Sequence, residues 1–294
     1  MIPSARVRAQ AKINLILRVL TREASGFHSI ETVFLRIDLS DEIALRITNG
    51  RSLDCSGPAL PAGGLGAVET NLAYRAADAY AHATGWPAGF AIEIEKHIPV
   101  GGGLGGGSAD AGAVLRALDA LSPNPLGPRL VELAAGLGAD VPFMCIDSPM
   151  SLAWGRGERL YPLKPLEPRA VLLVFPDFAV PTGDAYSWLA AGRREYVPTA
   201  AVLAADSLAT WEAIAREAMN DFEAVVARRH PVIAELVGRL RSMDALVAML
   251  SGSGSTVFGV FDEAPDASVV ERTTHQRVIA TMTSDRVLWV ERGD

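Results

Sequence analysis

Between Asp41 and Ile47, apolar side chains fall at every second position, Ile43, Leu45 and Ile47, and the alternation returns at Phe90, Ile92 and Ile94 ahead of Lys96. A period of two turns one face of an extended segment toward a core and the other toward water, so both stretches predict half-buried strands. Between them the spacing changes. Leu72, Ala76, Ala79, Tyr80 and Ala83 recur at helical intervals from Asn71 to Thr84, and Gly85 stands where a helix takes a left-handed stop. Ser108 to Leu121 gathers Val114, Leu115, Leu118 and Leu121 on one side, and Leu130, Leu133 and Leu137 repeat the pattern before Gly138. Two further helices follow from this.

Pro162, Pro165 and Pro168 crowd the segment Tyr161 to Pro168, which can continue neither a helix nor a central strand. A domain junction is expected there, giving an N-terminal domain over 1–160 and a C-terminal domain over 161–294. Beyond it, Ala170 to Phe175 is an unbroken apolar run suited to a buried strand, and Val232, Ile233, Leu236, Val237 and Leu240 mark one face of a helix. Strands are expected on both sides of the turn Ser251-Gly252-Ser253-Gly254-Ser255. Strand and helix patterns mix without a strict β-α-β-α rhythm, which favours an α+β fold over a doubly wound sheet.

With 294 residues, 49% of them hydrophobic, the chain can bury a sizeable core, so disorder is not expected. A formal charge of -7 creates no field that would gather nucleic acid or an anionic membrane. Lys12, Asn14 and Arg18 interrupt the N-terminal segment before it is apolar enough for a signal peptide or a membrane span, and a cytoplasmic location is expected. Cys55 and Cys145 lack C-x-x-C spacing and read as ordinary buried thiols. The five histidines lie far apart with no H-E-x-x-H cluster, so no dedicated transition-metal site is expected.

Against this plain background the run Gly101-Gly102-Gly103-Leu104-Gly105-Gly106-Gly107-Ser108 stands out, placed after a strand pattern and before a helix pattern. Glycine lets the backbone take positive φ and come close to a ligand, so several N–H groups can converge on phosphate oxygens at a helix N-terminus. Ser108 can cap that helix, or its hydroxyl can meet magnesium or phosphate. A flexible hinge is the plainer alternative, but ordering so many glycines costs entropy that a bound anion would offset. No lysine follows the glycines, so this is not a Walker A loop. A G-x-G-x-x-G register is present, yet a dinucleotide-binding fold would carry it at the first strand, which makes an oxidoreductase the weaker reading.

The block PVGGGLGGGSADA at Pro99–Ala111 resembles the phosphate motif of the GHMP kinase superfamily. AKINLILRV at Ala11–Val19, SGFHSIETVF at Ser25–Phe34, GADVPF at Gly138–Phe143 and SGSGSTVF at Ser251–Phe258 complete the resemblance across most of the chain. It implies a two-domain GHMP kinase fold, an N-terminal domain like ribosomal protein S5 domain 2 and a C-terminal α+β domain, with the site between them. It further implies an ATP-dependent small-molecule kinase, using ATP with magnesium. The order of the blocks is similar to the branch that phosphorylates a cytidine diphosphate-linked sugar alcohol in isoprenoid-precursor biosynthesis. A sibling kinase acting on another small alcohol, or a nucleotide-binding regulator without activity, stays open, as do monomer and homodimer.

Site residues follow from the same resemblance. Lys12 and Asp140 match the catalytic pair. Pro99, Val100, Gly101, Gly102, Gly103, Leu104, Gly105, Gly106, Gly107, Ser108 and Ala109 match the nucleotide loop, with Asn71 near the adenine. Asn14, Phe27, His28, Thr182 and Tyr186 match substrate contacts, Phe27 standing where many members carry tyrosine. The Ser251–Ser255 turn matches a motif that packs beside the phosphate loop. Asn71, and likewise Asn220 with Asp221, can also be explained as helix caps, and Asp140 as a turn or cap carboxylate.

Overall fold

In the computed structural model, which describes residues 2–22, 28–192, 205–263 and 265–293, two long strands, β1 (Ser4–Arg22) and β2 (His28–Thr48), form an antiparallel ribbon. Along β1 the residues Ala5, Val7, Ala9, Ala11, Ile13 and Leu15 alternate into the core, as period-two geometry requires. Its other face is buried too: Gln10, Lys12 and Asn14 are 1%, 4% and 2% exposed. A strand covered on both sides lacks the clean apolar-in, polar-out contrast, so the pattern of the N-terminal segment does not by itself predict a strand. The strand expected at 41–47 is the final third of β2.

β3 (Arg51–Ser56) runs parallel to β4 (Gly89–Glu95), and β4 is antiparallel to β2. Helix α1 (Leu72–Thr84) joins them, capped at one end by Asn71 Oδ1, which accepts from Ala73 N–H at 2.9 Å, and at the other by Gly85 at φ 73°. Then come α2 (Gly106–Leu121), α3 (Arg129–Ala135), α4 (Val141–Cys145), β5 (Met150–Gly155) and β6 (Arg159–Pro162). β5 pairs with the first part of β2, so the sheet forks: β4 takes one end of β2 and β5 the other.

The second half begins with β7 (Ala170–Phe175) and continues through α5 (Thr182–Gly192), α6 (Trp211–Glu217), β8 (Met219–Asn220), α7 (Glu223–Arg229) and α8 (Val232–Arg241). It closes with β9 (Val247–Leu250), β10 (Val257–Phe261), α9 (Ala267–Thr274), β11 (Arg277–Met282) and β12 (Glu291–Gly293). β11, β7, β10 and β9 make a four-stranded antiparallel sheet in that order, whereas β8 and β12 return to pair with β1. Grouped strands and helices in this arrangement are an α+β fold.

The four-stranded sheet has two working faces. Val171, Leu173, Met249, Phe258 and Val260 pack into the core of the first sheet. Leu172, Val174, Leu250, Val257 and Phe261 turn the other way, under Ile233, Leu236, Val237 and Leu240 of α8. The unbroken apolar character of Ala170–Phe175 reflects this double burial. Because buried apolar contacts run continuously from one sheet to the other, the two halves meet as packed layers.

Candidate active site

Pairing between β1 and β2 shifts register between Gln10 and Lys12, and there the Lys12 N–H donates to Leu104 O at 3.0 Å. That bond fastens the glycine run to the strand carrying Lys12. Gly103, at φ 80°, sits so close to the second glycine turn that a Cβ would stand 2.1 Å from Ser251 O, so no other residue fits without moving backbone. Its carbonyl accepts from Ser251 Oγ at 3.0 Å and from Lys12 Nζ at 3.1 Å. Thr256 N–H donates to Gly102 O at 3.3 Å. The turn itself is held by Asn220, whose Nδ2 donates to Leu250 O and Gly252 O, both at 2.8 Å.

Lys12 Nζ has three partners: Gly103 O, Asn14 Oδ1 at 2.8 Å and Asp140 Oδ2 at 3.4 Å. Asn14 Nδ2 donates to Thr32 Oγ1 at 2.8 Å, and Thr32 Oγ1 donates to Ile16 O at 2.7 Å. This relay fixes which end of the Asn14 amide faces the lysine. Lys12 is nearly buried, its side chain 5% exposed, whereas the Asp140 side chain is 27% exposed. Asp140 occupies the residue before α4 but makes no side-chain capping bond, so its carboxylate is turned to the lysine rather than to its own helix.

A cleft of about 1390 Å³ opens over this pair, lined by Lys12, Asn14, His28, Phe34, Gly103, Gly105, Asp140, Thr182, Tyr186 and Ser253. His28 at the start of β2 and Tyr186 on α5 stack at 4.7 Å with 18° between planes, and Phe222 meets Tyr186 edge-on at 4.9 Å. Burial, with Asp140 adding to it, pushes the Tyr186 hydroxyl up to about 12. Thr182 Oγ1 lies 3.0 Å from Ser253 Oγ, joining α5 to the second glycine turn. Phe27 lies outside the described residues.

Several expected roles shift. α2 begins at Gly106 with Gly105 (φ 72°) as its cap, so Ser108 stands in the first turn and is not the cap. Leu104 and Ala109 are buried, 1% and 2% exposed, leaving only their backbone for a ligand, while Val100 is 50% exposed. Asn71 is engaged at its helix cap and does not line the cleft. Asn220 does two things ahead of α7: its Oδ1 accepts from Phe222 N–H at 2.9 Å where that helix opens, and its Nδ2 latches the glycine turn, while Asp221 Oδ2 accepts from Val19 N–H at 2.7 Å. Cys55 and Cys145 are half-buried free thiols, and burial raises both, Cys145 to about 12.

Beneath the glycine run lies a cluster that the sequence did not announce. Lys96 Nζ donates to Asp41 Oδ2 and, at 2.6 Å, to Asp110 Oδ2. Asp41 Oδ1 accepts from the N–H groups of His97 and Ile98 at 2.6 and 2.8 Å, holding the chain that leads into the run. Burial opposes the Lys96 charge, but the two carboxylates outweigh it and its pKa rises. Asp110 is pushed up to about 7, by burial first and by Asp41 as well, against the pull of Lys96. The residues come from β2, the position just after β4, and α2, and no local spacing links them. The signal available was a lysine and an aspartate flanking the glycines.

A glycine-cradled helix start, beside a lysine–carboxylate pair that faces an open cleft, defines a small-molecule phosphotransferase. The family pattern described as "GHMP kinases N terminal domain" matches residues 71–148, and "GHMP kinases C terminal" matches residues 200–276. The chain is 37% identical over 280 residues to 4-diphosphocytidyl-2-C-methyl-D-erythritol kinase of Salinibacter ruber, covering 93% of this chain and 95% of that protein. It is 39% identical over 289 residues to the protein of the same name from Pelotomaculum thermopropionicum, covering 94% and 96%. The crystal structure of a 4-(cytidine 5'-diphospho)-2C-methyl-D-erythritol kinase superposes with a TM-score of 0.74 at 36% identity, over 95% of this chain and 99% of that one. A homoserine kinase from Cytophaga hutchinsonii shares the fold, with a TM-score of 0.69 at 16% identity over 99% and 97%. The chain belongs to the GHMP kinase family and is an ATP-dependent kinase.

Proposed function

We propose that this kinase transfers the γ-phosphoryl group of ATP to the 2-hydroxyl of 4-diphosphocytidyl-2-C-methyl-D-erythritol. The products are ADP and the 2-phosphate, in the methylerythritol phosphate route to isoprenoid precursors. The observation that carries the reading is a single cleft bounded by the Lys12–Asp140 pair, by Gly103 and Gly105, and by the stacked His28 and Tyr186. Whole-length similarity to kinases named for that substrate supports it.

Asp140, open to the cleft, accepts the hydroxyl proton as the oxygen attacks, and Lys12 holds the carboxylate and counters negative charge on the transferring group. An ordinary carboxylate is too weak a base to ionise an alcohol beforehand, but a loose transition state needs the proton removed only late. Positioning therefore matters more than basicity. Asn14 contributes by orienting Lys12. The N–H groups of Gly106, Gly107 and Ser108 open α2 and face the triphosphate. The Tyr186 and His28 rings offer flat surfaces for the cytosine, and Thr182 a polar contact, with Phe27 assigned to the same group.

Magnesium would be held largely by phosphate oxygens, with the Ser108 hydroxyl in the first turn of α2 as the side chain that would meet it. When bound, it neutralises charge on the transferring phosphoryl group.

The same reading divides the chain into domains 1–160 and 161–294, but that boundary falls inside β6, which pairs with β5, and β8 and β12 pair back with β1; the passage from the first sheet to the second lies between Pro162 and Ala170. It makes the protein a cytoplasmic monomer or homodimer that binds no nucleic acid or membrane, in keeping with its net charge of -7. Among the described residues, no helix is long and apolar enough to cross a membrane. ADP release measured with the cytidylyl alcohol, homoserine, mevalonate and galactose tests the substrate. Turnover with the first alone is expected, and preference for another would replace it.

A further inference from the structure

Arg36 lies on β2 directly opposite Lys12 in the strand register, and only 2% of it is exposed. Its guanidinium is wrapped by the far end of α4: Nη2 donates to Phe143 O at 2.8 Å and Ile146 O at 3.3 Å, and Nε donates to Ser148 O at 3.3 Å. Burial is the main reason its pKa falls to about 9, and the neighbouring Arg116 adds to the fall. A buried cation of this kind is expensive, and three carbonyls gathered by one planar fork are what hold it.

The same guanidinium covers an aromatic column. Arg36 Cζ is 4.9 Å from the centre of the Phe143 ring, Phe143 stacks on Phe34 at 5.0 Å and 22°, and Lys12 Nζ stands 5.5 Å from the centre of Phe34. Lys12 and Arg36 thus close the two ends of a two-ring stack. Phe143 belongs to the short helix that Asp140 opens. Anything that fixes Phe143 against Phe34 therefore fixes the Asp140 carboxylate against Lys12.

We propose that Arg36 is a positioning residue for phosphoryl transfer: by gathering the carbonyls that end α4 and closing the Phe34–Phe143 stack, it sets Asp140 in place beside Lys12. The proposal rests on the assignment of Lys12 and Asp140 to the reaction, and on no particular alcohol.

The test is steady-state kinetics of Arg36→Met, with thermal melting to establish folding, alone and combined with Asp140→Asn. Whichever alcohol the wild type phosphorylates serves as acceptor, so a wrong substrate shows in the wild type and a wrong positioning role only in the variants. Arg36→Met is expected to lower kcat about tenfold or more with KM for ATP within about threefold, because the loss falls on the reacting groups rather than on nucleotide binding. Arg36→Lys, which keeps the charge but not the fork, should recover only part. In the Arg36→Met background, Asp140→Asn should cost much less than in the wild type, since neighbouring groups acting as one unit are not additive. Should Arg36→Met fail to fold, Phe143→Leu, which leaves the backbone carbonyls in place, takes its position with the same expected split. A folded variant with kcat within twofold of wild type, or losses that simply multiply with Asp140→Asn, would overturn the proposal.

Discussion

Lys12 Nζ stands 3.4 Å from Asp140 Oδ2, with the lysine buried behind and the carboxylate open to the cleft. An oxygen entering the cleft meets the carboxylate first and the cation beside it. Replacing Asp140 by Asn keeps the shape and removes the proton acceptor. Asp140→Asn should lower kcat by at least about a hundredfold, the lower end of the usual general-base effect, while ATP affinity changes little. Isothermal titration with a non-hydrolysable ATP analogue, beside kinetics, separates the two. A variant keeping most of the wild-type turnover would remove Asp140 from the chemistry.

Gly103 and Gly107 belong to one run but do different things. A Cβ at Gly103 would stand 2.1 Å from Ser251 O, whereas nothing lies within 4 Å of one at Gly107. Gly103→Ala should therefore damage the fold itself, lowering the melting temperature. Gly107→Ala should leave stability unchanged or raise it, since alanine favours a helix over glycine by about 1 kcal/mol. If nucleotide phosphate occupies the space over the start of α2, Gly107→Ala should still weaken ATP binding about tenfold. Unchanged affinity would move the phosphates elsewhere.

The His28–Tyr186 stack forms one wall of the cleft. Tyr186→Ala removes one flat wall and should raise KM for the cytidylyl substrate by about tenfold, in line with about 1–3 kcal/mol for stacking a base on an aromatic ring. KM for ATP should stay within about twofold. Equal rises for both substrates would assign Tyr186 to the packing of α5 instead.

Asp110 makes stability depend on pH with a definite sign. Its ordinary value of 3.8 is pushed up to about 7 in the folded state, mainly by burial. Between those values the native protein keeps a proton that the unfolded chain has lost, so stability falls as pH rises from about 4 to about 7 and then levels. Asp110→Asn cannot titrate and should lose that slope. Urea midpoints of wild type and variant across this range test it. Parallel profiles would mean that Asp110 is ionised throughout.

What the sequence disclosed was mostly local. Asn71 and Gly85 bracket α1 as expected because a cap is decided within a few residues. The glycine run announced phosphate chemistry through backbone freedom alone, and the blocks around Lys12 and Asp140 carried the kinase resemblance. Two of the misses were also local: Ser108 lies inside α2 because the helix starts on glycines, where propensity argues against it, and β1 hid its period because Gln10, Lys12 and Asn14 are buried along with its apolar face.

The other misses were contacts between distant segments. Lys96 with Asp41 and Asp110, and Arg36 with the end of α4, each join residues that only the folded sheet brings together. None leaves a spacing to read.

The central claim is transfer of a phosphoryl group to one hydroxyl of the cytidylyl alcohol, and phosphorus NMR observes that step directly. With magnesium ATP and 4-diphosphocytidyl-2-C-methyl-D-erythritol, the wild type should produce a new phosphomonoester resonance in step with ADP, and Asp140→Asn should not. ATP left intact, or ADP formed with inorganic phosphate and no phosphomonoester, would contradict it.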